Sequence, residues 1–258
     1  MVYQTYTLVI DRPVNFYFAG FVFFSTVCSY NFHWALTPNS IAPSHRLKWD
    51  ERHKRYHFLL SVMGLIGSII FFLFMREHWF SVGVAAIFTF LYSAPKISFP
   101  PFQWLKNIAV GKTIFLALTW AYVTAALPVL IEGDFFSPKP LLFFTGQLLF
   151  IYAICILFDF RDRDDDKADG IRSMITFFNE RGIDLLFSFS IVAYIIMMIL
   201  LYNTGLPWFN IILLIFPALL AAGLYGHAKR NFSDYLYYFI LDGLMMLSGL
   251  LLWFVHMF

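Results

Sequence analysis

Apolar residues run almost unbroken through eight stretches of this chain, roughly 13–36, 56–75, 79–95, 105–131, 140–160, 183–202, 207–226 and 235–257. Each comes close to the length of about 20 residues that a helix needs to cross the hydrocarbon of a bilayer. None alternates apolar with polar residues, as a strand of an outer-membrane barrel would. The pattern predicts an all-α, polytopic membrane protein of about eight transmembrane helices. No internal repeat or low-complexity linker interrupts it, so residues 1–258 read as a single transmembrane domain. The first stretch is too long for a cleaved signal peptide, and no small-residue cleavage site follows it. Pro128 and Pro217 fall inside spans and predict kinks, whose freed carbonyls neighbouring groups must satisfy.

Composition sharpens the picture. The chain is 60% hydrophobic and 21% aromatic, and only 13% charged, against about 25% charged in an average globular domain. Its 33 Phe and 14 Tyr are too many for a water-soluble core of this size. A soluble globule, a disordered chain and a nucleic-acid binder are excluded. Cys28 and Cys155 both lie in apolar runs, so no disulfide framework is expected. The net charge of +2 says little; where the charges lie says more. Arg46, Lys48, Arg52, Lys54 and Arg55 follow the first span, Lys96 and Lys106 the third. Arg161, Arg163, Lys167, Arg172 and Arg181 follow the fifth, and Lys229 and Arg230 the seventh. The other side carries Arg12, Arg76 and Lys139, with Lys112 inside a span. Basic residues concentrate in cytoplasmic loops, so both termini are expected outside the cytoplasm and the long polar loops within it. Short loops and the lack of a transit segment point to a bacterial inner membrane.

Candidate chemistry gathers where span five ends, in Asp159-Phe-Arg-Asp162-Arg-Asp-Asp-Asp166-Lys-Ala-Asp169-Gly170-Ile-Arg172. If the helix runs on at about 100° per residue, Asp159, Asp162, Asp166 and Asp169 share one face. Stacked carboxylates repel each other, and hard oxygen ligands on one face suit Mg²⁺, which takes one or two carboxylates together with phosphate oxygens and water. Arg161, Arg163 and Arg172 would reach further phosphate oxygens. The plainer alternative is a solvated charged loop. Asp242, an ionisable group inside the last span, is either a functional acid or a structural one held by a neighbouring Tyr. Lys112 either reaches a phosphate or snorkels to the membrane edge.

Asp-Phe-Arg-Asp-x-x-x-Asp-x-x-x-Gly-Ile-Arg-Ser at 159–173 resembles the second aspartate-rich motif of the UbiA superfamily of intramembrane prenyltransferases. Tyr92-Ser-Ala-Pro95-Lys96, followed by Pro100, Pro101 and Leu105-Lys106-Asn107, resembles that family's Tyr-Ser-x-Pro-x loop and the helix entry after it. The resemblance runs from about residue 14 to 258. It implies a bundle of transmembrane helices around a lipid-filled cavity. It further implies transfer of a prenyl group from a prenyl diphosphate to a lipid-soluble, commonly aromatic acceptor, with Mg²⁺ on the diphosphate. On this reading Asp162 and Asp166 are catalytic, and Asp159, Asp162 and Asp166 hold the metal. Asn31, Arg46, Lys96, Lys106, Arg161 and Arg172 bind the diphosphate.

Two departures bear on activity. The family's first motif, Asn-Asp-x-x-Asp-x-x-x-Asp, corresponds here to Asn31-Phe32-His33-Trp34-Ala35, which keeps the Asn and loses the carboxylates. His33 offers a nitrogen ligand, whereas Mg²⁺ prefers oxygen. The family's first helix is also missing, which would leave one wall open to lipid or to a partner membrane subunit. Two readings stay open: a divergent prenyltransferase with one intact motif, or a non-catalytic accessory or scaffold subunit of a membrane complex. A transporter would need repeated halves or charged residues in series within the spans, which the chain lacks.

Overall fold

The computed structural model describes residues 1–36, 53–93, 111–133, 135–164 and 174–257, and all regular structure among them is helical. Helix α1 (Val2–Thr5) continues as a π-helical stretch, Tyr6–Ile10. Then come α2 (Phe16–Leu36), α3 (Lys54–Leu73), a 3₁₀ turn (Arg76–His78) and α4 (Trp79–Ser93). Helix α5 (Gly111–Ala121) passes through a π stretch, Tyr122–Ala126, into α6 (Leu127–Glu132). It is followed by α7 (Pro138–Arg161), α8 (Met174–Phe177), α9 (Glu180–Leu200) and α10 (Trp208–Ala228). A third π stretch, Tyr235–Leu241, leads into α11 (Asp242–Met257). The chain divides into two compact units, Val14–Leu105 and Met1–Pro13 with Lys106–Phe258.

Six helical stretches are long and apolar enough to span a bilayer: Lys54–Leu73, Thr113–Glu132, Pro138–Arg161, Glu180–Thr204, Trp208–Ala228 and Tyr235–Met257. The other two expected spans are α2 and α4. Helix α2 has 21 residues, but Tyr30, Asn31 and His33 near its end make it less apolar, and α4 is described over 15 residues. Local signals set the helix starts. The Asn15 side chain accepts from the backbone N–H of Tyr17 and Phe18 at the start of α2, and Asn179 caps α9 through Gly182 N–H at 2.8 Å. Pro138 opens α7, where its missing N–H costs nothing.

In the unit Val14–Leu105, α2 and α3 pack as an antiparallel pair. Tyr17 stacks on Phe74, Phe24 on Phe71, and the Ser25 hydroxyl donates to Ser68. The buried face of α3 is only Ser61, Gly64 and Gly67. A Cβ on Gly64 would meet the backbone nitrogen of Cys28 at 2.5 Å, so the two backbones are in contact. Most of the remaining apolar side chains of α3, among them Phe58, Met63, Ile66 and Ile70, are exposed. On a soluble protein such a surface would be a fault. In lipid, burying Leu or Ile against protein gains nothing, and close packing of small residues drives association instead.

The second unit is built around α7. Over its most apolar stretch 56% is buried, against 17% for α3, and α5, α9, α10 and α11 all pack on it. Phe150 stacks on Tyr194 with ring centroids 5.1 Å apart, and the Tyr194 hydroxyl donates to the Leu214 carbonyl at 2.7 Å, in the turn that Pro217 loosens.

The segment 1–10 enters this unit, where the hydropathy pattern predicted no element. Gln4, Thr5 and Tyr6 are fully buried and Leu8 nearly so. The Thr5 hydroxyl donates to the carbonyl of Thr124 at 2.6 Å. Pro128 brings no N–H to the π stretch before it, and Thr5 gives a carbonyl of that stretch a donor from another segment. Gln4 donates to the Ser248 hydroxyl of α11. At the far end Arg12 reaches Glu132, at 3.5 Å from its carboxylate, and Asp11 turns the chain with φ 57° before Pro13.

Gly64→Ala should cost about 1–3 kcal/mol, as overpacking does, because the obstacle is backbone. Gly83→Ala, where nothing lies within 4 Å, should be neutral or slightly stabilising. Denaturant unfolding in detergent micelles checks the pair, and equal effects at both positions would remove the close approach from this account.

Candidate active site

Helix α7 carries Asp159 to one end of its unit, buried at 6% exposure. Thr113, in the first turn of α5, donates its hydroxyl to this carboxylate. The expected unbroken helix from Asp159 to Asp169 needs correcting: α7 stops at Arg161, and Asp162 forms its C-cap at φ −87°, ψ 3°. A face shared by four aspartates therefore cannot be drawn from α7 alone. Asp166, Asp169 and Arg172 lie outside the described residues, as do Arg46, Lys96 and Lys106.

Arg161 organises the end of α7. Its Nε donates to Asp162 at 2.7 Å, and its Nη2 donates to the Tyr238 hydroxyl at 2.6 Å. The guanidinium lies over three rings, with centroids of Phe158, Tyr237 and Tyr238 at 5.3, 4.8 and 4.7 Å. Ring faces offer a desolvated cation partial compensation for lost water, and a cation suits a helix C-terminus. One donor is left over: Nη1 is buried and has no hydrogen-bond partner among the described residues. A buried charged donor of this kind is expensive unless an acceptor arrives. The Nε of Arg163 is in the same state. Beside this group the Lys229 ammonium donates to Asp184 at 2.7 Å and lies over the Phe160 ring, while Tyr225 also donates to Asp184. That cluster satisfies itself and ties α9, α10 and α7 together.

Below Asp159 lies an apolar layer. Ala117, Ala121, Ile151 and Cys155 form a buried cluster, and Leu116, Trp120, Tyr152 and Met245 pack on it while remaining half-buried. Helices α7 and α11 are antiparallel here. One turn from Cys155 along α7 stands Asp159, and one turn from Met245 in the same direction stands Asp242. Asp242 was legible in the sequence only as an acid inside a span, and Thr113 and Tyr238 carried no signal at all.

Asn31 belongs to the other unit. Its Nδ2 donates to the Val27 carbonyl and its Oδ1 pairs with His57 Nδ1, both at 2.8 Å. His33 stacks on Tyr92 at 4.8 Å. This end of α2 presents amide and imidazole groups where the resemblance would have carboxylates.

Comparison with known families meets this geometry directly: the model of the UbiA prenyltransferase family matches residues 35–241. The chain belongs to that family. The match spans α3 to the last π stretch, and so takes in Asp159, Arg161, Asp162 and Tyr238. No curated protein and no solved structure matches. Membership in the UbiA family, with six candidate spans, makes this an integral membrane protein of prenyltransferase type.

Thr113→Val should destabilise the protein by about 1.5–3 kcal/mol, the worth of a hydrogen bond to a charged group, while Thr113→Ser should keep most of it. Melting of the two variants in detergent checks this; a Val variant as stable as the Ser variant would show that Asp159 does not depend on the hydroxyl.

Proposed function

We propose that the chain transfers a prenyl group from a prenyl diphosphate to a lipid-soluble, commonly aromatic acceptor, with the diphosphate at the Asp159–Asp162 end and the prenyl chain on the apolar side of it. The observation that carries this reading is Arg161, part-buried at the end of α7, whose Nη1 is itself buried and has no acceptor among the described residues, beside Asp162 and above an apolar layer. A phosphate oxygen is the acceptor that such a donor lacks. The reading assigns residues 1–258 to one transmembrane domain in a bacterial inner membrane, with the aspartate-rich end cytoplasmic and both termini opposite, as the distribution of basic residues supports.

The donor set fits Mg²⁺ in kind. Among the described residues no three His, Cys, Asp or Glu side chains gather to hold an ion, but Mg²⁺ commonly takes one or two carboxylates and completes its shell with phosphates and water. Asp159, Asp162 and Asp166 would hold it. When bound, it would neutralise charge on the pyrophosphate leaving group.

This chain's own residues do the rest. Arg161 donates to the diphosphate from Nη1, while Tyr238 and Asp162 keep the guanidinium from turning away. Arg172, Lys96, Lys106, Arg46 and Asn31 supply further donors in this reading. As the C–O bond to the diphosphate breaks, the allylic carbon is attacked by the acceptor, and the proton that the acceptor loses passes to the Asp242 carboxylate. Leu116, Trp120 and Met245 exclude water, which would otherwise capture the cation, and the Tyr152 and Trp120 rings face positive charge favourably.

One observation favours the second reading, an accessory or scaffold subunit. Asn31 is spent on Val27 and His57, so the α2 end adds no carboxylate to a second metal. Native mass spectrometry with geranyl diphosphate, with and without Mg²⁺, separates the two. The enzyme reading expects a Mg²⁺-dependent adduct, lost in Asp162→Asn and in Asp166→Asn. It should weaken about 10- to 100-fold in Arg161→Gln, the equivalent of a charged hydrogen bond. An adduct indifferent to all three changes sinks this site; no adduct, together with a stoichiometric membrane partner, supports the scaffold.

A further inference from the structure

We infer that Arg161 sets the order in which the ligands of this site bind, holding Asp162 against a bare divalent cation until the diphosphate is in place. The inference rests on the proposed function and deepens it to the regulation of that same site. Of the two motif carboxylates among the described residues, Asp162 is the more accessible. Its side chain is 39% exposed, whereas Asp159 is buried and takes the Thr113 hydroxyl. Arg161 engages both oxygens of Asp162, with Nε 2.7 Å from Oδ1 and Nη2 3.4 Å from Oδ2. The guanidinium is kept from swinging aside, because Nη2 also donates to the Tyr238 hydroxyl and the rings of Phe158, Tyr237 and Tyr238 lie against it. Neighbouring cations are committed elsewhere: Arg163 donates to the Phe178 carbonyl and Lys229 to Asp184. Among the described residues, Arg161 is therefore the cation that a metal on Asp162 has to face.

The sign of its effect depends on what else is bound. Before the diphosphate arrives, a divalent ion on Asp162 would stand beside a fixed guanidinium, and the two cations repel. The guanidinium also cancels the charge of one carboxylate, which weakens the attraction that Asp159 and Asp162 would otherwise offer together. A diphosphate reverses both effects. Its oxygens can accept from Arg161 on one side and coordinate the ion on the other, so guanidinium and metal share an anion instead of opposing each other. Binding free energies are reciprocal, and the diphosphate must raise metal affinity by the factor by which the metal raises diphosphate affinity. Removing the Arg161 charge should move the two affinities in opposite directions, which the loss of a merely structural contact would not do.

The test uses Mn²⁺, which accepts the same oxygen ligands as Mg²⁺, and follows its binding to the detergent-solubilised full chain and variants by electron paramagnetic resonance. Without diphosphate, Arg161→Gln should tighten Mn²⁺ binding about tenfold, the lower end of what a charged hydrogen bond is worth, while the same variant binds geranyl diphosphate more weakly. Arg161→Lys, which keeps the charge, should leave Mn²⁺ binding near that of the full chain. Adding Asp162→Asn to Arg161→Gln should abolish the gain, which locates it at this carboxylate. A misfolded variant loses affinity rather than gaining it. The full chain gives a second reading that needs no substitution: it should hold Mn²⁺ about tenfold or more tightly with geranyl diphosphate bound than without. Equal Mn²⁺ affinity in those two states, an Arg161→Gln variant that gains nothing, an Arg161→Lys variant that gains as much, or a gain that survives Asp162→Asn overturns the ordering and leaves the prenyl diphosphate reading standing. If geranyl diphosphate binds none of the proteins, with or without Mn²⁺, the underlying reading fails, and the ordering with it.

Discussion

Polar groups that α7 and its neighbours carry into hydrocarbon must find partners on other segments, because lipid offers none, and the arrangement of the larger unit follows from those partners. Asp159 takes the Thr113 hydroxyl from α5, Arg161 takes Tyr238 from the last π stretch, and the Thr124 carbonyl takes Thr5 from the N-terminal segment. At the edge the Tyr237 hydroxyl donates to the Ala228 carbonyl, one of the unbonded groups at the end of α10. Apolar contacts fill the space between these pairs without choosing among alternatives, since a leucine is as comfortable against lipid as against another helix.

The two units meet this constraint differently. In Val14–Leu105 two helices approach until their backbones touch at Gly64, Gly67 makes room for the Phe24 ring, and hydroxyls pair across the seam. In the other unit larger side chains interlock around α7, with stacked aromatics such as Phe150 on Tyr194 and Phe187 on Tyr225. The first solution leaves a broad apolar surface for lipid. The second creates an interior, with charged groups at one end of it.

Chemistry in this unit comes from the boundary between those two environments. Above Asp159 stand a guanidinium clasped by three rings and the Asp162 carboxylate; below it the packing is apolar. Membership in the UbiA family brings prenyltransferase-type chemistry to a membrane protein in which charged groups stand over apolar packing. The end of α2 is the exception. There Asn31 and His57 pair with each other, and the α2 end presents no carboxylate where the resemblance would have them.

The spans, the aspartate-rich end and the family motif at 159–173 could be read from the chain alone. Hydropathy and i, i+3, i+4 spacing are properties of neighbours in sequence, and crossing a membrane requires little more than an unbroken apolar run. Helix caps such as Asn15 and Asn179 are local in the same way. Where α7 ends was less legible, because Arg161, its last residue, pairs with the C-cap Asp162 and with a tyrosine 77 residues away. The N-terminal segment was invisible: nine residues are too few to span, and their burial depends on Thr124 and Ser248, 119 and 244 residues distant. The pairing of Asp242 with the level of Asp159 likewise exists only because α7 and α11 run antiparallel. What a residue is and how it is spaced determined which segments enter the membrane; which polar group answers which was decided by the tertiary structure, because in lipid a partner is chosen by proximity in space and by no gradient along the chain.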